Sequence, residues 1–283
     1  MNAPFSIWSQ YYNTEEPEEA ILEFEKDGVT HIELSHEHGS AILAREGDRR
    51  ENGRKFKEFM SAHGITATQG HLAFPSLIVC EPDTFIDYIV RQAELYEAIG
   101  IKCSVLHCDY MRGVEVTDED VFEKNVAALK EVARRTAHID MYICLENLGG
   151  GAPVGIDSIL ELIRRVGSPK FAICLDTGHL NRTKTTSQKE FLVKGGSLIK
   201  ALHVHDNDGG DDQHILPFSR GNIDWQDFMD GLREINYDGL FNYEIPGERQ
   251  ASPKVRMAKL AYIKAVTDEL FSDEFIERGH KVW

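Results

Sequence analysis

Eight short β-rich apolar runs, spaced roughly 30 residues apart, constrain this chain more than any other feature. They are FSIWSQY from Phe5, HIELSH from His31, ITATQGH from Ile65, KCSVLH from Lys102, MYICLEN from Met141, FAICLDTGH from Phe171, IKALHVHD from Ile199 and GLFNYEI from Gly239. Between them lie stretches such as PDTFIDYIVRQAELYEAIG and DVFEKNVAALKEVARRTAHI, whose apolar residues recur at three- and four-residue steps with polar faces left for water. Nearly continuous apolar strands alternating with amphipathic helices require a parallel sheet covered by helices. Eight such units in 283 residues fit a closed (β/α)8 barrel better than an open doubly wound sheet. The expectation is one α/β domain spanning 1–283: an eight-stranded parallel barrel.

Charge and cysteine content narrow the function. With 31 Lys+Arg against 47 Asp+Glu the formal net charge is -16, which repels a phosphate backbone unless basic groups are gathered locally. The run AREGDRRENGRKFKEF reads as a solvated helix start rather than such a patch. Neither G-x-G-x-x-G nor G-x-x-x-x-G-K-[ST] occurs, so the usual nucleotide-binding signatures are missing. No run of about 18 apolar residues marks a membrane span and no secretory leader is evident, which makes the expected location cytoplasmic. Five cysteines without C-x-x-C spacing read as reduced core residues.

Ionisable residues gather where the strands should end. His71 closes the third run, His107 the fourth, Glu146 the fifth, Asp176 and His179 the sixth, His203 and His205 the seventh, and Glu244 the eighth. The long loop after the seventh strand adds Asp212 and His214. In a barrel these side chains converge on the mouth at the C-terminal strand ends. There, crowded carboxylates and imidazoles are relieved by a divalent cation. Each has a plainer reading alone: Asp176 as the cap of the next helix, Asp212 and His214 as a solvated acidic loop, Asp224 with Trp225 as cap and staple. Their joint occurrence favours a metal site.

The segments LEN, LDTGH, HVHDND, GNIDW and YEI, in that order, resemble the xylose isomerase-like TIM barrels, which join sugar and sugar-phosphate isomerases and epimerases, inosose-processing enzymes and type IV apurinic endonucleases. The resemblance implies one divalent metal ion (Mn, Zn, Mg or Co) held by Glu146, Asp176, His203 and Glu244, with His205 as the rival to His203. It also implies a metal-dependent isomerase or epimerase acting on a small sugar, sugar phosphate or inosose-like ketone through proton abstraction and an enediolate. Glu146 and Glu244 would be the catalytic acid-base pair, and His71, His107, His179, His205, Asp212, His214 and Arg220 would touch substrate, with Arg112 and Arg182 as further candidates for a phosphate. Arg220 stands where relatives commonly carry Glu in a G-E-G turn. In the endonuclease branch the same residues imply up to three zinc ions: Glu146 bridging one held by His71 and His107 and another held by Asp176, His203 and Glu244, with His179, Asp212 and His214 on the third. The acidic balance and the apolar LAFPSLIV segment after His71 favour a small carbohydrate partner over nucleic acid or membrane. A homo-oligomer is compatible with either branch.

Overall fold

The computed structural model describes residues 3–14, 16–73, 82–108, 117–150, 153–248 and 250–278. The eight strands are β1 (Phe5–Trp8), β2 (His31–Leu34), β3 (Thr66–His71), β4 (Cys103–Leu106), β5 (Tyr142–Glu146), β6 (Phe171–Asp176), β7 (Ile199–His203) and β8 (Phe241–Tyr243). Each begins within two residues of an expected run. All pair in parallel, in the order β7-β6-β5-β4-β3-β2-β1-β8. The ring closes between β7 and β8 through one isolated parallel bridge, Val204 to Tyr243. The protein is therefore a nearly closed (β/α)8 barrel.

Around it run α1 (Pro17–Lys26), α2 (His36–Leu43), α3 (Arg49–Ala62), α4 (Pro82–Ile99), α5 (Asp118–Arg135), α6 (Gly155–Val166), α7 (Thr177–Thr183), α8 (Gln188–Gly195), α9 (Trp225–Glu234), α10 (Pro253–Phe271) and α11 (Asp273–Arg278). Local chemistry sets several of their starts. Thr117 and Asp120 form a reciprocal capping box on α5, and Asp48, Ser187 and Asp224 accept a backbone N–H at the starts of α3, α8 and α9. The basic run near the second unit is the exposed start of α3; Arg49 and Arg50 pair with Glu94 and Glu97 of α4 and tie the two helices together. None of the described helices is long and apolar enough to cross a membrane.

The strands sort their residues by alternation, interrupted by a register shift where β6 meets β7. Ile143, Leu145, Ile173, Leu175, Ile199 and Leu202 join the main core between sheet and helices. The intervening Cys144, Ala172, Cys174 and Ala201 form a separate cluster with Val105. Cys103 Sγ reaches the Lys200 carbonyl of β7 from β4, so this second cluster fills the barrel interior. In β5 and β6 small residues face inward and branched residues face the helices. Continuing the inward series by two residues leads from Val105 to His107, from Cys144 to Glu146, from Cys174 to Asp176 and from Ala201 to His203. Cys103, Cys144 and Cys174 are free thiols, as their apolar settings implied. Cys80 lies outside the described residues.

Candidate metal centre

The mouth of the barrel gathers ten of the eleven singled-out groups into one network, all but Arg220. Glu146, almost wholly buried at the end of β5, is its hub: His107 Nε2 lies 2.8 Å from Oε2 and His71 Nε2 3.7 Å from the same oxygen. On the other oxygen, Oε1, converge His179 Nδ1 at 3.0 Å and His203 Nδ1 at 3.4 Å. His203 Nδ1 is also 3.4 Å from Glu244 Oε2 and 4.0 Å from Asp176 Oδ2. His205 Nε2 sits 3.0 Å from Asp176 Oδ2 and stacks on His214 with ring centroids 3.9 Å apart. Asp212 completes the network, with its Oδ2 3.2 Å from His179 Nε2 and 3.3 Å from His214 Nε2.

Local structure dictates which atom each ring presents. His71 directs Nδ1 to the Leu72 carbonyl at 2.7 Å and His214 directs Nδ1 to the Glu244 carbonyl at 2.6 Å, leaving Nε2 of both facing the carboxylates. His203 is reversed, with Nε2 3.1 Å from both oxygens of Glu33 and Nδ1 facing the mouth. Asp176 does cap α7, accepting the His179 N–H on Oδ1 at 2.6 Å, while Oδ2 turns to the cluster. Gly178 makes room for that turn: a Cβ there would stand 2.1 Å from His205 Cε1.

The electrostatics fit a cation. Five carboxylates (Glu33, Glu146, Asp176, Asp212 and Glu244) meet six imidazoles, and among the described residues no Lys or Arg pairs with any of the five. Burial alone would raise the Glu146 carboxyl, but His107 and His203 hold it well below the usual carboxylate range. Burial opposes a charge on His203 as well; Cys174, Glu244, Glu33 and Glu146 outweigh it and raise the imidazole well above its ordinary value. His214, against the same opposition, is pushed up to about 9, chiefly by Asp212. For His107 burial wins and the imidazole is lowered.

Several buried polar atoms here make no hydrogen bond: His179 Nδ1, His203 Nδ1, His205 Nδ1 and Asp212 Oδ1. Four trios bring donor atoms within 4.8 Å of one another: His71, His107 and Glu146; Glu146, Asp176 and His203; Asp176, His205 and Glu244; His205, Asp212 and His214. Two donors each about 2.0–2.4 Å from one ion stand no farther apart than this, so the residues fit a divalent metal.

Arg220 is the outlier. It is exposed in the loop before α9, its charge is felt by Asp208, and no described contact links it to the cluster. Arg112 and most of LAFPSLIV lie outside the described residues. Trp225 takes the structural role expected of it, buried and donating Nε1–H to Asp206 at 3.1 Å. Two groups escaped sequence reasoning: Glu33, and His36, whose ring stands 6.0 Å from that of His71. Both lie in HIELSH: Glu33 sits inside the strand with no strand-end signal, whereas His36 closes the run as His71 closes the third and the same signal could have found it.

Fold and mouth together define a parallel barrel with a buried, metal-fitting histidine-carboxylate centre at its C-terminal end. The chain belongs to the xylose isomerase-like TIM barrel family, whose pattern it matches over residues 22–266. It is 30% identical over 162 residues to the uncharacterized protein MJ1311 of Methanocaldococcus jannaschii, covering 56% of this chain and 55% of that one. To the probable endonuclease 4 of Mycoplasmopsis agalactiae it is 29% identical over 170 residues, covering 54% of this chain and 59% of the relative. The chain thus matches little more than half the length of these curated relatives. A solved L-ribulose 3-epimerase superposes with a TM-score of 0.78 at 17% identity, over 98% of this chain and 96% of that one.

Proposed function

We propose that the protein is a divalent-metal-dependent isomerase or epimerase of a small sugar, sugar phosphate or related ketone. The observation that carries this reading is the placement of Glu146 and Glu244, from β5 and the end of β8, each 3.4 Å from the same inward nitrogen of His203. Carboxylates on either side of one ligand atom suit a reaction in which one removes a proton beside a carbonyl and the other returns it. Glu146, Asp176, His203 and Glu244 would hold the cation, which supplies stabilisation of the negative charge that develops on the substrate oxygens. His179, His205, His214 and Asp212 stand around the same centre and would orient hydroxyls. The L-ribulose 3-epimerase likeness is consistent with this reading, and so is a charge of -16, which disfavours a polyanionic partner.

The test is solvent labelling. Metal-loaded protein incubated in deuterated water with a panel of ketoses and ketose phosphates is expected to place deuterium on a carbon beside the carbonyl, read by NMR. Turnover without label would point instead to a metal-assisted hydride shift or to a proton shielded from solvent.

A second reading has its own observation. His71, His107 and Glu146 form one trio, and His205, Asp212 and His214 form another that shares no residue with it, a donor supply larger than one cation uses. Several ions there would suit phosphodiester hydrolysis, and the relative from Mycoplasmopsis agalactiae is printed as a probable endonuclease. Abasic duplex DNA is the discriminating ligand. We expect no retention at physiological salt beyond that of an acidic control protein, and one bound metal per chain by elemental analysis. Micromolar binding with chelator-sensitive strand cleavage, together with three metals per chain, would reverse the ranking.

A further inference from the structure

Glu33 lies in β2, fully buried, and its side chain crosses the barrel interior to β7, where both its oxygens stand 3.1 Å from His203 Nε2. Gln69 Nε2 donates to Glu33 Oε2 at 2.5 Å and Asn242 Nδ2 donates to the same oxygen. These partners are themselves held: Gln69 Nε2 also reaches the Leu202 carbonyl at 3.2 Å, and Ser6 Oγ donates to Asn242 Oδ1 at 2.9 Å. The side-chain amides can only donate to the oxygen they face, so both hold Glu33 Oε2 as an acceptor. No described Lys or Arg compensates it. Burying such a carboxylate costs folding free energy that an apolar residue of similar volume would avoid, so the network asks for a role other than stability. The opposite nitrogen of the same ring supplies one: His203 Nδ1 is buried, makes no hydrogen bond, and faces Glu146, Asp176 and Glu244.

We propose that Glu33 is the positioning residue of the metal centre: by accepting the His203 Nε2–H it fixes the ring and its tautomer so that the Nδ1 lone pair is aimed at the cation, while Gln69 and Asn242 hold Glu33 in place. The proposal rests on the reading of the barrel mouth as a metal site. Without the carboxylate the imidazole is free to rotate or to place its proton on Nδ1, the atom the metal needs. A carboxylate behind a ligating histidine typically changes metal affinity by about 10–100-fold.

The test uses the full chain with Co²⁺ as probe, measuring affinity by competition with a chromophoric chelator and the visible spectrum of the loaded protein. Glu33→Gln keeps the size of the side chain and one acceptor oxygen. It is expected to weaken Co²⁺ binding by about 10–100-fold and to alter the Co²⁺ absorption bands, with the unfolding temperature of the chelator-treated protein close to that of the parent. Glu33→Asp, which keeps the charge but withdraws it by one methylene, is expected to fall between the two and decides the question if the Gln variant does not fold. A Glu33→Gln protein with parental affinity and an unchanged spectrum overturns the proposal. Parent protein that takes up no divalent cation overturns the metal reading itself, a separate result.

Discussion

Glu244→Gln protein, with its metal content restored and verified, is expected to turn over the ketose of the proposed reaction on the order of a hundredfold more slowly than the parent, because a positioned proton-transfer group typically contributes factors of that size or larger. Of the two proposed acid-base groups, Glu244 has the freer carboxylate: its side chain is 16% exposed, against 1% for Glu146, which is crowded by His107, His179 and His203. The substitution removes charge and proton-carrying capacity with little change in size, and the Glu244 main-chain carbonyl remains to accept from His214. Because Glu244 is also a proposed ligand, rate and occupancy must be read together, by initial rates at saturating substrate and elemental analysis of the same sample. A metal-replete variant at the parental rate would eliminate the two-carboxylate scheme. A loss that disappears when metal is added back would leave Glu244 as a ligand only.

Asp176→Asn is expected to weaken divalent-metal affinity on the order of a hundredfold, the upper end of what removing a merely supporting group costs. The variant isolates charge from architecture. Asp176 Oδ1 caps α7 by accepting the His179 N–H, and an Asn Oδ1 caps equally well. Asn147, which exchanges hydrogen bonds with the Asp176 main chain, is also untouched. What the variant loses is the negative Oδ2 facing His205 and His203. Dialysis against a mild chelator followed by metal analysis gives the result: retention equal to the parent would remove Asp176 from the ligand set.

Much of this centre could be read from the sequence because a (β/α)8 barrel turns a one-dimensional position, the end of a strand, into a shared place in space. Glu146, Asp176 and His203 each terminate an apolar run, and Asp212 and His214 lie in the long loop that a compact domain keeps for function. Glu33 was illegible for the converse reason. It sits inside a four-residue strand, where one polar side chain ordinarily means a solvent-facing position, and its partner His203 is 170 residues away. Only the inward register, which sets Ser6, Glu33, Gln69 and Asn242 beneath the mouth, shows that this half of the barrel interior is polar. Arg220 misled in the other direction: charge and loop placement drew attention to it, but neither says which way a loop side chain points.

The isolated bridge between β7 and β8 has a mechanical consequence. Seven of the eight junctions around the barrel are laddered, whereas this last one holds through Val204 and Tyr243, flanked by the backbone bonds Val204 N–H to Asn242 O and Glu244 N–H to Val204 O. His203 leads into this seam from one side and Glu244 leaves it on the other. A cation gripping both side chains acts as a clasp on the barrel where it is sewn most thinly. Breathing of the cylinder and release of the ion would then be one motion.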